Sequence, residues 1–201
     1  MKYYNQHRYP YMIYRCNTAD PECTAAHNST FYQTACGLCA AAMVADRLLI
    51  EPDFGLVEAL NLSYETGANA PHWGTEYPIY APAFAEKMGL KLEMTSDIEL
   101  VKKCVQTGGC VVAHSGGDRE EPDGSKYIGV FTHGGHFIVV ISVREDGKFC
   151  VLDPSQEPDK FDEPGRVGKV EVDGNFCYCD GSVLVKDCAN RTPSFYCFWR
   201  K

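Results

Sequence analysis

Residues 33–50, QTACGLCAAAMVADRLLI, decide how the rest of this chain is read. Small residues and a cysteine come first, followed by an almost unbroken apolar run without proline. The run is rich in alanine and too long for an ordinary strand, so it predicts a buried helix that begins near Cys36. Asp46 and Arg47 interrupt it, and it is too short to span a bilayer. A cysteine at a helix start lies beside unpaired backbone N–H groups and the positive end of the helix dipole. Both favour the thiolate, which is the nucleophilic form. Cys36 is therefore the first candidate nucleophile. The same residues admit a plainer account, with Cys36 and Cys39 as two small apolar side chains on a core helix.

The chain has 201 residues, enough for one domain and hardly more than two small ones. An apolar fraction of 45% with 12% aromatics argues against disorder. The formal charge of −8 gives no electrostatic case for DNA, RNA or an anionic membrane as partner. After Met1 the stretch KYYNQHRYPYMIYR is polar and aromatic and lacks the apolar core of a secretory signal. No lipidation motif stands at either end, so a cytoplasmic location is expected. Eleven cysteines is a high count but below that of a disulfide scaffold, and it is odd. Reduced thiols are the simpler account. A Cys16–Cys23 disulfide, or a share of these two in a metal site, is open but not expected.

Residues 1–32 look irregular, an arm that can pack on the domain. After the central helix, Glu51-Pro52-Asp53 breaks the run, and Asp53 is placed to cap a second helix over 54–64. That helix would carry Leu56, Val57, Leu60 and Tyr64 on one face. Residues 66–75 read as a loop, 77–88 as a helix stopped by Gly89, and 90–94 as a strand. Ser96 and Glu99 have the spacing of a capping box for a helix that runs to Gln106 and ends at Gly108-Gly109. Residues 110–114 form an apolar strand, and 115–135, rich in glycine and charge, read as a long mobile loop of the functional kind. The rest is β-rich: 136–143, an Asp146-Gly147 turn, 148–152 closed by Asp153-Pro154, then 168–172, 176–179, 182–186 and a last aromatic segment. Helices first and an antiparallel sheet second is an α+β architecture.

A cysteine nucleophile needs a base to take its proton, and the base needs an acceptor that fixes its tautomer. His136 starts one predicted strand and Asp153 follows the end of its hairpin partner. A hairpin places those two points side by side, although they lie far apart in sequence. At these residues the chain resembles the papain-like peptidases of the C39 type and their C39-like relatives. The matching pieces are CGLCAAAMV from Cys36, Gly134-Gly135-His136-Phe137-Ile138-Val139-Val140, and Leu152-Asp153-Pro154. Gly74-Thr75 before a helix ending Lys87-Met88-Gly89-Leu90, and the 96–109 stretch leading into the 110–114 strand, extend the likeness over roughly residues 28–156.

The resemblance implies a papain-like α+β fold with the nucleophile helix packed on a C-terminal antiparallel sheet. It implies a single domain over 1–201, with an arm at 1–27, a catalytic core at 28–156 and a β extension at 157–201. It also implies hydrolysis of an amide or thioester through an acyl-enzyme. Cys36 would be nucleophile, His136 general base and acid, and Asp153 the orienter of His136, with no cofactor or metal and with a peptide or protein as substrate. Many papain-like enzymes carry an oxyanion-hole glutamine six residues before the cysteine. Here that position is Thr30, and the nearby glutamine, Gln33, lies three before. Gln33 is therefore the candidate oxyanion side chain, with the backbone N–H of Cys36 sharing that role. Relatives commonly have proline after Cys-Gly, and this chain has Leu38.

Three rival readings come from the residues themselves. Cys36-Gly37-Leu38-Cys39 is a C-x-x-C at a helix start, the redox arrangement of thioredoxin-like proteins, but its lead-in HNSTFYQTA is poor strand material. A redox switch on Cys36 with Cys39 as resolving partner is compatible with the hydrolase reading. His133 with His136, or Cys177, Cys179 and Cys188, suggest a metal site without the spacing of a zinc motif. Here His133 reads as an exposed loop residue, His114 as a structural histidine, and the three cysteines as ordinary thiols. The last rival is a binding module that keeps the fold without catalysis, its acidic surface and Trp73 loop recognising a peptide.

Overall fold

The Ala-rich run folds as its sequence predicts, into helix α1, Cys36–Leu48. Every residue from Gly37 to Ala45 is buried, so this helix is enclosed on all sides rather than amphipathic. Alanines let its neighbours approach closely, and Gly37 is the tightest point. A Cβ there would lie 3.0 Å from Thr75 Cβ and 3.3 Å from Phe137 Cδ2. The structure is a computed structural model and describes residues 1–17, 19–48, 53–70 and 74–201. The expected break at Glu51-Pro52 and the Trp73 loop tip lie outside the described residues.

Four further helices follow: α2 Leu56–Thr66, α3 Tyr77–Lys87, α4 Ile98–Gln106 and α5 Gly181–Asp187. Two caps differ from expectation. Gly55, not Asp53, caps α2, and Glu58 accepts from the Gly55 N–H at 2.9 Å. Asp97, not Ser96, caps α4 by accepting from the Glu99 N–H at 2.9 Å, while Ser96 Oγ accepts from the Ser194 N–H at 3.3 Å. The buried stripe of α2 is also rotated from the predicted one. Leu56, Ala59, Leu62 and Ser63 face inward, whereas Val57 is 55% exposed. Both stripes have helical spacing, and packing selects the one with small Ala59, whose carbonyl accepts from the buried Tyr80 hydroxyl at 3.2 Å.

The strands are β1 Leu90–Thr95, β2 Cys110–Ser115, β3 His136–Val143, β4 Phe149–Leu152, β5 Glu171–Asp173, β6 Phe176–Cys179 and β7 Phe195–Arg200. They form one antiparallel sheet in the order β5–β6–β4–β3–β2–β7–β1. The sheet thus draws on the middle of the chain as well as its C-terminal part. One face, with Val112, Phe137, Val139, Tyr196 and Phe198, packs with α1, α2 and α3. The other, with Val111, Ala113, Ile138, Val140 and Phe195, packs with Val101, Cys104 and Leu184 of α4 and α5. A strand buried on both faces has no polar side, which is why His136–Val143 reads as a continuous apolar run.

The predicted strand at 182–186 is instead part of α5. Its alternation of Val and Leu suits a strand, but a helix turns Leu184 and Asp187 inward together and leaves Val185 41% exposed. Asp187 is what the stretch 115–135 depends on. Its carboxylate accepts from the N–H groups of Val130 (2.6 Å) and Phe131 (3.2 Å), from the Tyr127 hydroxyl (3.2 Å) and from Ser115 Oγ. The stretch also holds a small hairpin, Arg119–Glu120 paired with Lys126–Tyr127. It is therefore a braced segment rather than a bare loop. Cys16 and Cys23 are joined in a disulfide, against the expectation of reduced thiols throughout, and the other nine cysteines are free. No helix among the described residues is long and apolar enough to cross a membrane.

Replacing Asp187 with alanine leaves four donors facing an apolar gap, at a cost of about 3 kcal/mol. Urea unfolding should show a clearly lower midpoint for Asp187→Ala. An unchanged midpoint would mean that the 115–135 segment holds itself in place.

Candidate active site

Cys36 is the first residue of α1, His136 the first of β3, and Asp153 the residue after β4. The β3–β4 hairpin brings the last two together as its register requires, with Leu152 opposite Val139. His136 Nε2 lies 2.8 Å from Asp153 Oδ1. The same imidazole and the Cys36 thiol share one cleft, and each acts on the other's titration. With Nε2 turned to the carboxylate, Nδ1 is the nitrogen left for the sulfur. The three predicted site residues thus meet at one point.

Burial would push the Cys36 thiol up, but the hydrogen bond and charge of His136, with the backbone N–H groups of Phe137 and Gly37, prevail and lower its pKa. The activating groups are mainly these and not the helix end by itself, because a single helical turn, Phe31–Thr34, runs up to Ala35 just ahead of α1. Burial would likewise hold His136 neutral. The Asp153 charge and its hydrogen bond, then the thiol, outweigh burial and raise the imidazole to about 9. Asp153 is fully buried, and against that burial the charges of Lys160 and His136 hold its carboxyl well below the usual carboxylate range. The nine free cysteines are not alike. Eight are buried and Cys36 alone is partly accessible.

Sequence reasoning missed the network around Asp153. Lys160 Nζ lies 2.6 Å from Asp153 Oδ2 and 2.8 Å from Ser155 Oγ. Ser155 in turn donates its N–H to Asp153 Oδ1 at 2.8 Å, and its Oγ lies 3.0 Å from His136 Nε2. The Asp-Pro-Ser order hinted at a side chain–backbone turn. Nothing in the spacing marked Lys160, seven residues on in a polar stretch. The N-terminal arm was expected to pack on the domain, but its bonds to the segment after Asp153 were not foreseen. The Tyr3 hydroxyl donates to Asp153 O at 2.5 Å, the Gln6 N–H to Pro154 O at 2.7 Å, and Gln6 Nε2 to Tyr32 O at 2.8 Å. The His7 ring sits 4.4 Å from that of Tyr32, with Nδ1 2.6 Å from Glu157. The arm ties the segment after Asp153 to the turn before Cys36.

Gln33 caps that turn. Its Oε1 accepts from the Thr30 N–H at 3.0 Å, and its Nε2 has no partner among the described residues. Gln33, Cys36 and His136 all line one cleft of about 1310 Å³, wider than a usual small-molecule pocket and roomy enough for a peptide. His114 also lines it, stacked on Phe137 with centroids 4.2 Å apart. His133 is exposed and hydrogen-bonded to Asp118 and Glu163, 2.9 Å each.

The rival readings gain little from this arrangement. Cys39 is fully buried in the core cluster, and burial, with the nearby Cys36 charge, holds its thiol well above the usual range. A resolving thiol needs the opposite environment. Cys177, Cys179 and Cys188 are buried thiols, and no group of three or more metal-ligating side chains occurs among the described residues.

No protein-family model matches the chain, and no curated protein matches it. Solved structures do match. One is a crystal structure from Bacillus anthracis described as a "putative C39-like peptidase", 11% identical, with a TM-score of 0.52. The likeness covers 83% of this chain and 88% of that one, and at such identity it speaks for the fold alone.

Proposed function

We propose that the chain is a papain-like, cysteine-dependent hydrolase that cleaves a peptide or related amide through an acyl-enzyme on Cys36. The observation that carries this reading is the partly accessible thiol, held towards its thiolate by an imidazole whose Nε2 lies 2.8 Å from a buried carboxylate. In the reaction, the thiolate attacks the carbonyl carbon and electrons move onto the oxygen. The Gln33 Nε2, which has no partner among the described residues, and the Cys36 N–H are the donors offered to that oxyanion. As the C–N bond breaks, His136 gives its proton to the leaving amine. Water, deprotonated by His136, then attacks the thioester, releasing the acid and restoring the thiolate. Asp153 keeps the ring aligned throughout. The acyl-enzyme route asks for nothing beyond these groups and water.

Cys36→Ala and His136→Ala should each abolish the appearance of new peptide termini, read by mass spectrometry from a mixture of peptides, while thermal unfolding still shows a folded protein. Turnover that persisted in either variant would end the mechanism. Iodoacetamide should alkylate Cys36 ahead of the other eight free cysteines well below pH ~8.5, where an ordinary thiol titrates, and His136→Ala should remove that selectivity.

The working form is thiolate with imidazolium. Activity should therefore rise as pH passes the lowered Cys36 pKa and fall as it passes about 9, where His136 loses its proton. Lys160→Met removes a positive charge that offsets the Asp153 field on His136. The alkaline limb should then move to higher pH, and stability should drop by about 2 kcal/mol for the lost charged hydrogen bonds. A pH–rate profile identical to that of the unaltered protein would show that Lys160 does not act on the ring.

A further inference from the structure

Beside His136 the cleft wall carries polar groups that nothing in the fold uses. The Tyr77 and Tyr196 rings are fully buried, yet their hydroxyls have no hydrogen-bond partner among the described residues, and neither does the Nε of Arg191. All three residues line the cleft. A buried, unpaired donor costs stability, so three along one wall call for an explanation.

They lie along a connected surface. His114 stacks on Phe137 at 4.2 Å, Phe137 on Tyr77 at 4.6 Å, and Tyr77 meets Tyr196 edge-on at 4.9 Å. The registers place Tyr196 opposite Val112 and His114 opposite Phe137, so Tyr196 and His114 are diagonal neighbours on one face of the sheet. Arg191 closes the group. Its Nη2 lies 3.1 Å, and His114 Nε2 4.0 Å, from where a Cβ of Gly135 would sit. With no side chain at Gly135, the guanidinium is left open to the cleft immediately before His136.

The charge balance picks the ligand. Arg191 has no carboxylate partner among the described residues; of the acidic side chains on the cleft, Glu157 is engaged by His7 and Glu163 by His133 and Arg166, while Glu76 and Asp159 form no ion pair there. Burial and the Arg191 charge push His114 down to about 3, so it stays neutral and adds no cation. Burial first, then neighbouring charge, keeps both tyrosines protonated, Tyr196 at about 12 and Tyr77 well above its ordinary value. Glu76, which acts on Tyr196, is exposed at the lip. The wall therefore offers one cation and two hydroxyl donors. A carboxylate is the acceptor that suits donors of all three kinds.

We infer that Arg191, Tyr77 and Tyr196 form a carboxylate-binding subsite on the leaving-group side of Cys36. The placement rests on the hydrolase reading above, because a general acid must stand next to the leaving nitrogen and His136 borders this wall. The substrate would then carry a carboxylate just beyond the scissile bond. It comes either from the α-carboxylate of a terminal residue or from an Asp or Glu side chain.

Calorimetric titration of the Cys36→Ala protein separates these cases without any chemistry at sulfur. The probes are benzoylglycine, benzoylglycinamide and the α-amide of benzoylaspartic acid. Benzoylglycine should bind about tenfold or more tighter than its amide, and Arg191→Gln should erase the difference. Tyr196→Phe should weaken acid binding severalfold without lowering the unfolding midpoint, since it removes a hydroxyl that the empty protein leaves unpaired. Preference for the aspartyl probe alone would assign the carboxylate to a side chain, and preference for benzoylglycine would assign it to a chain end. Equal affinity for acid and amide, or a preference that survives Arg191→Gln, overturns the subsite. Failure of iodoacetamide to single out Cys36 would overturn the hydrolase and leave this binding result standing.

Discussion

The buried contact between His136 and Asp153 constrains the rest of the molecule. Taking an imidazolium and a carboxylate out of water costs several kcal/mol for each ion, and their attraction offsets this only when the remaining lone pairs and protons are satisfied. The chain meets that condition with a line of groups that alternate in sign: Cys36, His136, Asp153, Lys160. Ser155 fills the space between the last three. Cys36, His136 and Asp153 are each held in the charged form by their neighbours, and the set sums to zero net charge.

Holding that line straight is a packing problem. The β3–β4 hairpin sets the distance from imidazole to carboxylate. The approach of the thiol depends on α1 lying close to the sheet, which Gly37 allows by leaving room for Thr75 and Phe137. The arm at residues 3–7 then bonds the segment after Asp153 to the turn before Cys36. The arm is thus a brace across the site rather than an appendage.

Much of this was legible in the sequence where a local rule and a tertiary demand agreed. An Ala-rich run long enough to be a helix became one, and a strand start and a strand end in a predicted hairpin met as hairpin geometry requires. Legibility failed where two local readings were equally good. Residues 182–186 alternate like a strand, but the 115–135 segment needs the Asp187 carboxylate turned inward, and that demand lies outside the local window. Ser96 and Asp53 look like caps, and Asp97 and Gly55 serve instead. Lys160 and the N-terminal arm act through contacts between distant positions, which periodicity cannot register.

The position of β7 reaches into the biosynthesis of the chain. Phe195–Arg200 lies between β2 and β1, two strands made nearly a hundred residues earlier. During vectorial synthesis those strands emerge with a gap between them, and β2 and β3 can pair only as part of an open sheet. The tyrosine wall lacks Tyr196, and the core lacks Phe198, until this last stretch has left the ribosome. A nascent chain therefore carries Cys36 early and His136 only after two thirds of these residues are made, and both precede the strand that completes the sheet beside them.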